Sequence, residues 1–253
     1  MILIKSKKEI DYIRESCRIV AQTLLLLKSK IDIGVTTKEL DLIAEDYIRS
    51  CDAIPAFKGY SQGNGVKFPA SICTSVNDEV VHGIPSEYKL KDGDIISIDV
   101  GVKKNNYFGD AAITVGVGKI SDEQKKLIEV TERSLYIGIE QAVESNRLQD
   151  ISYAIQEYVE SNGFSVVRDL CGHGVGKYLH EDPSIPNFGK KGSGPKLKRG
   201  MTLAIEPMVN VGSWQVKVAN DNWTIKTFDG KDSAHFEHTI LVTDNKPEIL
   251  TVC

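Results

Sequence analysis

Two amphipathic helical segments recur 111 residues apart, and this repeat limits the architectures that the chain can adopt. The segments are ELDLIAEDYIRS and DISYAIQEYVES, in which Leu40 aligns with Ile151 and Ala44 with Ile155. Each segment follows a longer stripe of apolar residues at helical spacing and precedes strand-rich sequence. The chain of 253 residues has room for two such units. The pattern therefore predicts a duplicated helix–helix–sheet unit.

Capping signals predict where three of the helices begin. A hydroxyl residue followed three positions later by Glu or Gln can satisfy free amides at both sides of a helix start. This spacing occurs at Ser6, Thr36 and Ser121, each followed by an apolar stripe. No such signal precedes the fourth segment, for which we predict a helix over residues 150–161.

Composition and charge exclude several classes of protein. The net charge of −4 provides no basic face for nucleic acid. The most apolar run, residues 19–27, is too short to span a membrane, and the N-terminus lacks the apolar region of a signal peptide. Five scattered cysteines without a CxxC pair indicate reduced thiols. We expect a cytoplasmic protein with no membrane association and no nucleic-acid specificity.

Two aspartates occupy a predicted β-hairpin, residues 95–118. If its two-residue loop is Lys104–Asn105, Asp99 lies directly opposite Asp110, whereas a loop at Asn105–Asn106 makes the two residues diagonal neighbours on one face. Like charges side by side on a sheet are destabilising, so the pair suggests a bound cation. The alternative is that both carboxylates simply reach solvent.

Two more strand carboxylates repeat this pattern. The predicted strand MTLAIEPMV carries Glu206 on the face opposite its apolar residues, and the predicted strand SAHFEHTILV carries Glu237 on one face with His235 and Thr239. A charge in so apolar a strand is costly to bury unless it is paired or bound to metal. With His173 of the glycine-rich segment CGHGVGKYLHEDP, these residues exceed the four Cys or His ligands of a structural zinc site. They suit two divalent ions that share carboxylates.

Five motifs then fall in a recognisable order. HGIP at 82–85, DVG followed by Asp110, GHGVG with HEDP, AIEPM and FEHT together resemble the methionine aminopeptidases, in particular the bacterial type I enzymes. The resemblance runs from about residue 5 to the C-terminus. It implies an α+β pita-bread fold, in which a duplicated helix–helix–β unit surrounds a central antiparallel sheet with a dinuclear metal site. It also implies one catalytic domain over 1–253, with pseudo-twofold halves of about 1–118 and 119–253.

The resemblance implies removal of the initiator methionine from nascent proteins and peptides whose second residue is small. The partners would be nascent chains near the ribosome, and the enzyme would be a monomer. The resemblance also implies two divalent metal ions (Co, Mn, Fe or Zn) held by one set of ligands: Asp99, Asp110, His173, Glu206 and Glu237. It also makes His82, His180 and Glu206 the catalytic residues, with both histidines contacting substrate.

The remaining histidines, His235 and His238, match no catalytic position and are interpreted as structural or surface groups. The implied methionine pocket consists of Tyr60, Phe68, Cys73, Leu179 and Trp223, although Phe68 and Cys73 would equally suit an ordinary core. Two departures from the family concern this pocket. The loop 61–67 is longer than usual, and Leu179 stands where many relatives have an aromatic residue.

Two other functions are compatible with this fold. An X-Pro aminopeptidase or prolidase usually carries an extra N-terminal domain, for which this chain has no room. A non-enzymatic pita-bread binding protein would have lost one or more metal ligands, whereas all five are present in this chain.

Overall fold

The computed structural model describes residues 2–61 and 65–252, so the middle of the 61–67 loop lies outside the described residues. Within these ranges the helices run as follows: α1 Lys7–Lys28, α2 Thr37–Ser50, α3 Asp122–Glu140 and α4 Leu148–Ser161. The strands in the same ranges are β1 Ile54–Pro55, β2 Cys73–Val76, β3 Glu79–Val81, β4 Ile95–Lys104, β5 Tyr107–Gly116, β6 Ser165–Val166, β7 Cys171–Gly174, β8 Glu181–Pro186, β9 Thr202–Ile205, β10 Met208–Asn210, β11 Val216–Val218, β12 Ile225–Thr227, β13 Ser233–His235, β14 Glu237–Leu241 and β15 Glu248–Ile249.

The capping signals mark the helix starts as predicted. Ser6, Thr36 and Ser121 are the N-caps of α1, α2 and α3, and each forms the reciprocal capping box. Helix α4 begins two residues earlier than predicted, because its cap is built differently. The Arg147 amide donates to the Asp150 carboxylate, and no Ser or Thr side chain takes part.

The repeated segments form equivalent helices. Helices α2 and α4 both contain 14 residues, and their bounds differ by the same 111 residues as the sequence repeat. Helices α1 and α2 share one hydrophobic core with β4, while α3 and α4 share another with β9 and β14. Each half of the chain thus packs its own helix pair onto the sheet.

Both helix pairs pack on a nine-stranded antiparallel sheet. Its main path runs β1–β4–β5–β14–β9–β7–β8, with β2 paired to β4 and β15 to β14. Two three-stranded sheets, β13–β10–β6 and β11–β12–β3, flank it among the described residues. No helix in these ranges is long and apolar enough to cross a membrane.

The β4–β5 hairpin takes the second of the two predicted registers. Lys104 pairs with Tyr107, so the loop is Asn105–Asn106, and both asparagines adopt positive φ, as a tight two-residue hairpin loop requires. Asp99 pairs with Ala112, and Asp110 pairs with Gly101. The two aspartates are therefore diagonal neighbours on one face.

Two predicted continuous strands are broken, which corrects the sequence analysis. The segment MTLAIEPMV divides into β9 and β10, so Glu206 follows the end of a strand instead of lying within it. Pro207 cannot donate a ladder hydrogen bond, which explains the break. The segment SAHFEHTILV divides at Phe236, and its two parts join different sheets. His235 and Glu237 therefore do not belong to one continuous strand, although the register is the same on both sides of the break.

Glycines around His173 allow close packing of strands. This histidine lies in β7, which pairs with β8 and β9. A Cβ atom on Gly172 would clash with the Ala204 carbonyl oxygen, and one on Gly174 would clash with the Asp182 carbonyl oxygen. Side chains at these positions would force the strands apart, so glycine is required at both.

Candidate metal centre

Five adjacent strands of the large sheet position the five predicted metal ligands. In sheet order, β4 carries Asp99, β5 carries Asp110, β14 begins with Glu237, β9 ends just before Glu206, and β7 carries His173. Glu237 pairs with Ala112, the partner of Asp99, which aligns the first three strands. Residues far apart in the sequence are thus brought to one place by strand order and register.

The donor atoms of this group lie close enough to share a cation. Asp110, His173 and Glu237 each offer one atom within 4.8 Å of the other two. His173 Nε2 lies 4.0 Å from Asp110 Oδ2 and 3.7 Å from Glu206 Oε1. Asp99 and Glu206 line the same cavity as these three residues.

Burial leaves the carboxylates without partners. Asp99 Oδ1, Asp110 Oδ1 and Glu237 Oε1 are buried and accept no hydrogen bond from any residue that the structure describes. No Lys or Arg is among the described residues that line the cavity. An unpaired buried carboxylate is costly, and a cation is the partner that this site otherwise lacks.

Burial also raises the pKa values of these acidic residues. Burial raises the pKa of Asp99 to about 7 and that of Glu206 to about 8. Burial and the neighbouring carboxylates raise the pKa values of Asp110 and Glu237 well above their ordinary range. The metal-free site therefore favours protonated carboxyls, whereas metal binding would require the ionised form.

His173 has the tautomer that a metal ligand needs. Its Nδ1 lies 2.9 Å from the Gly174 carbonyl oxygen, which can only accept, so Nδ1 carries the proton. Burial lowers the pKa of His173 to about 3, which keeps the ring neutral. Nε2 therefore has a lone pair and no proton. When the neighbouring carboxylates are ionised they have no proton either, so no hydrogen bond can form between them and Nε2. A divalent cation fits this arrangement, and a backbone carbonyl holding the other nitrogen is typical of histidine ligands.

The raised pKa values predict how the metal-free protein responds to pH. A carboxyl whose pKa is higher in the folded protein than its unfolded value near 4 makes the folded protein less stable as pH rises. The free energy of unfolding falls from about pH 4 until the pH passes the folded pKa. The buried histidines have lowered pKa values of about 3 to 4 and act in the opposite direction, but only below their unfolded value near 6.5. We therefore expect the melting temperature of the metal-free protein to fall by several degrees between pH 6.5 and pH 8.

Calorimetry of chelator-treated protein over this pH range measures the effect. Glu206→Gln removes one of the titrating groups and should flatten the fall, and manganese should abolish it. A melting temperature that rises from pH 6.5 to pH 8 without metal would contradict the assignment of destabilised carboxylates.

His180 and Tyr60 meet at the mouth of the cavity. The Tyr60 hydroxyl lies 2.5 Å from His180 Nδ1, and the His180 ring centroid lies 4.4 Å from that of His173. The two histidines of the glycine-rich segment therefore face the same cavity from different depths. Of these two, His173 is the one whose ring nitrogen comes within 4.0 Å of a carboxylate of the group.

His82 lies on another wall of the same cavity. It adopts a positive φ of 60°, an uncommon conformation for a residue with a side chain, and burial lowers its pKa to about 4. Its ring packs edge-on against Trp223 at a centroid distance of 6.3 Å.

The predicted apolar pocket residues form one cluster beside the acidic group. Phe68, Cys73, Leu179 and Trp223 are buried together, and Tyr60 packs against them. Phe57, which the sequence analysis did not single out, belongs to the same cluster and also lines the cavity. No periodic pattern of apolar residues surrounds Phe57 that could have indicated its position.

The other two histidines were predicted to be structural or surface groups. His235 is buried, with its Nε2 3.6 Å from Glu206 Oε2, so the surface alternative is wrong for this residue. Its spacing of two from Glu237 was the signal in the sequence that could have indicated its place beside the acidic group. His238 contacts the hydroxyls of Tyr136 and Thr251, at 3.4 and 2.8 Å, which fits a structural role.

Comparisons with known proteins agree on one family. The model of metallopeptidase family M24 matches residues 11–244. Methionine aminopeptidase 1 of Bacillus subtilis is 58% identical over 99% of both chains, and the methionine aminopeptidase of Clostridium perfringens is 56% identical over 100% of this chain and 99% of its own. A crystal structure of a methionine aminopeptidase from Thermotoga maritima superposes with a TM-score of 0.96 at 46% identity, covering both chains completely.

Proposed function

The chain belongs to metallopeptidase family M24 and acts as a methionine aminopeptidase, and from this premise we propose that its buried carboxylate–imidazole group is the catalytic centre. The pita-bread fold expected from the sequence is confirmed by the structural comparison. The observation that carries the proposal is the set of buried carboxylate oxygens near His173 Nε2 that have no hydrogen-bond partner in the described part of the chain. Relatives that share the whole length of the chain supply the reaction, removal of an N-terminal methionine.

The ligands are proposed to hold two divalent ions. Asp99, Asp110, Glu206 and Glu237 supply oxygen, and His173 supplies its Nε2. Four carboxylates with one imidazole suit manganese, iron or cobalt at least as well as zinc. Such ions, when bound, polarise a carbonyl oxygen and lower the pKa of water.

Glu206 is the proposed proton carrier. It is the acidic residue of the group that follows a strand end and lines the cavity, so one carboxylate oxygen can meet a water that attacks the substrate carbonyl. A carboxylate accepts the proton of that water and returns it to the leaving amine.

His180 is proposed to donate a hydrogen bond to the reacting amide. Its Nδ1 is engaged by Tyr60, whose hydroxyl can give its own proton to that nitrogen. The His180 Nε2 then carries the proton that stabilises negative charge on the carbonyl oxygen in the transition state. His82, on another wall, is proposed to contact the amine or the leaving nitrogen.

The methionine side chain is proposed to enter the apolar cluster of Tyr60, Phe68, Cys73, Leu179 and Trp223. Aromatic faces and a thiol give a flexible thioether favourable contacts. An apolar pocket of this kind distinguishes methionine from a similar side chain by only ~1–3 kcal/mol. His82 and His180, on two walls of the cavity, are proposed to leave space for only a small second residue of the substrate.

The wider setting is also proposed from the family. We infer a single catalytic domain of two related halves, 1–118 and 119–253, that works as a monomer in the cytoplasm. Its substrates would be nascent chains near the ribosome and free peptides with an N-terminal methionine.

A peptide panel tests the proposed function. Protein supplied with Mn²⁺, Co²⁺ or Fe²⁺ should release methionine from Met-Gly-Met and Met-Ala-Ser. It should leave Met-Lys peptides uncut, because a long second residue would collide with His82 and His180. Released methionine is measured by chromatography. Cleavage of proline-second peptides that lack methionine, at equal rates, would instead support an X-Pro aminopeptidase.

A further inference from the structure

His235 is a buried imidazole to which the proposed mechanism gives no task. Its side chain is 2% exposed, and its Nε2 has no hydrogen-bond partner within residues 2–61 and 65–252. That nitrogen lies 3.6 Å from Oε2 of Glu206, the proposed proton carrier. A buried ring nitrogen without a partner costs free energy, which indicates that this nitrogen interacts with Glu206.

The backbone of His235 is fixed on both sides. Its amide donates to Thr114 Oγ1 at 2.9 Å, and the same hydroxyl lies 2.8 Å from the His235 carbonyl oxygen. Thr114 is in turn bonded to Ser97 at 2.8 Å across the β4–β5 hairpin. The position of the imidazole is therefore set by the strands that carry the proposed aspartate ligands.

Strand register places His235 beside Glu206. Strand β13 pairs with β10, placing His235 opposite Met208, two residues after Glu206. Strand β14 pairs with β9 in the same register, placing His238 opposite Ile205, the residue before Glu206. His235 and Glu206 are therefore neighbours across these two paired segments.

Glu206 lies between two imidazoles that differ in what they can donate. Its Oε1 is 3.7 Å from His173 Nε2, which has no proton because Nδ1 is bonded to the Gly174 carbonyl. Its Oε2 is 3.6 Å from His235 Nε2. Of these two nitrogens, only that of His235 is available to donate to the carboxylate.

We propose that His235 is a positioning residue for Glu206, donating a hydrogen bond from Nε2 to Oε2. This inference rests on the proposed function of the site. Hydrogen bonds in catalytic sites are often long in the free protein and shorten when the site is filled. A donor on Oε2 holds the carboxylate with Oε1 turned toward His173 and the metal-holding side. Glu206 would then bind metal and carry a proton without losing its orientation.

Three variants test this assignment. His235→Leu keeps a similar volume without a donor, His235→Gln restores an amide donor, and His238→Gln is the matched control at a histidine whose contacts lie outside the cavity. His235→Leu should lower kcat on Met-Ala-Ser and the affinity of chelator-treated protein for Mn²⁺, each by about 10- to 100-fold. KM should change by less than about threefold, because substrate binding is not involved.

The donor is identified by rescue. His235→Gln should recover most of both losses, and His238→Gln should behave as wild type. Calorimetry without metal should give similar melting temperatures for all three variants. If His235→Leu lowers the melting temperature, His235→Asn, whose amide is too short to reach Glu206, takes its place and should show the same loss.

Two results would overturn the assignment: kcat and Mn²⁺ affinity within about threefold of wild type in His235→Leu, or no rescue by Gln. Failure of wild-type protein to release methionine would refute the proposed function separately, since Mn²⁺ affinity is measured without substrate.

Discussion

Replacing Glu237 by Gln is expected to reduce methionine release to background and to lower the amount of bound metal, while the metal-free protein stays as stable as wild type. Glu237 is buried at the start of β14, and one of its oxygens has no hydrogen-bond partner among the described residues. Burial and the surrounding carboxylates raise its pKa, so in the absence of metal a neutral amide of the same shape replaces a group that is already mostly protonated. With metal, the amide cannot supply the negative charge that two cations need.

Activity, metal content by plasma emission and calorimetry are measured on the same preparation. Asp99→Ala should lose turnover and metal in the same way. The control is Asp41→Asn, a buried carboxylate outside the cavity that accepts bonds from the amides of Ser71 and Ile72. If Glu237→Gln or Asp99→Ala keeps wild-type activity and metal content, the proposed ligand set is wrong.

Alanine substitutions of the two histidines in the glycine-rich segment should have different effects on bound metal and on kcat. His173→Ala is expected to lose bound metal together with activity, because the only imidazole ligand proposed for the site is gone. His180→Ala should keep its metal, since Nδ1 of His180 is engaged by the Tyr60 hydroxyl, whereas His173 is the one that approaches Asp110 and Glu206. Its loss should appear mainly in kcat, by about 10²–10³-fold, as for removal of one donor to a developing oxyanion.

Tyr60→Phe provides a matched control for His180→Ala. It removes the hydroxyl that engages Nδ1 and leaves the ring in the apolar cluster, so metal content should again be unchanged while kcat falls less. Equal metal loss in His173→Ala and His180→Ala would mean that both imidazoles are ligands, and the separate role proposed for His180 would be wrong.

Local rules in the sequence predicted much of the fold. Capping boxes located three helix starts, because the signal depends only on residues three apart. The hairpin could be narrowed to two registers, and the positive φ values of Asn105 and Asn106 decided between them. In both registers Asp99 and Asp110 share a face, so that part of the candidate site did not depend on the choice.

Features that depend on contacts between distant segments could not be predicted. The break at Phe236 sends β13 and β14 into different sheets, and no proline or glycine marks it. His235 was placed on the face of Glu237 but given no part in the site, because it matches no catalytic position of the family and its approach to Glu206 depends on packing. Phe57 was missed for the same reason, because its place in the apolar cluster follows from packing against Phe68 and not from local pattern.

The most direct test of the two-metal centre is a calorimetric titration of chelator-treated wild-type protein with Mn²⁺, in which methionine release from Met-Ala-Ser is followed in parallel samples. We predict two ions bound per chain, no methionine release before the ions are added, and activity that rises as they bind. Methionine release by the metal-free protein, or activity that appears without stoichiometric binding of Mn²⁺, would contradict the assignment of a two-metal catalytic centre.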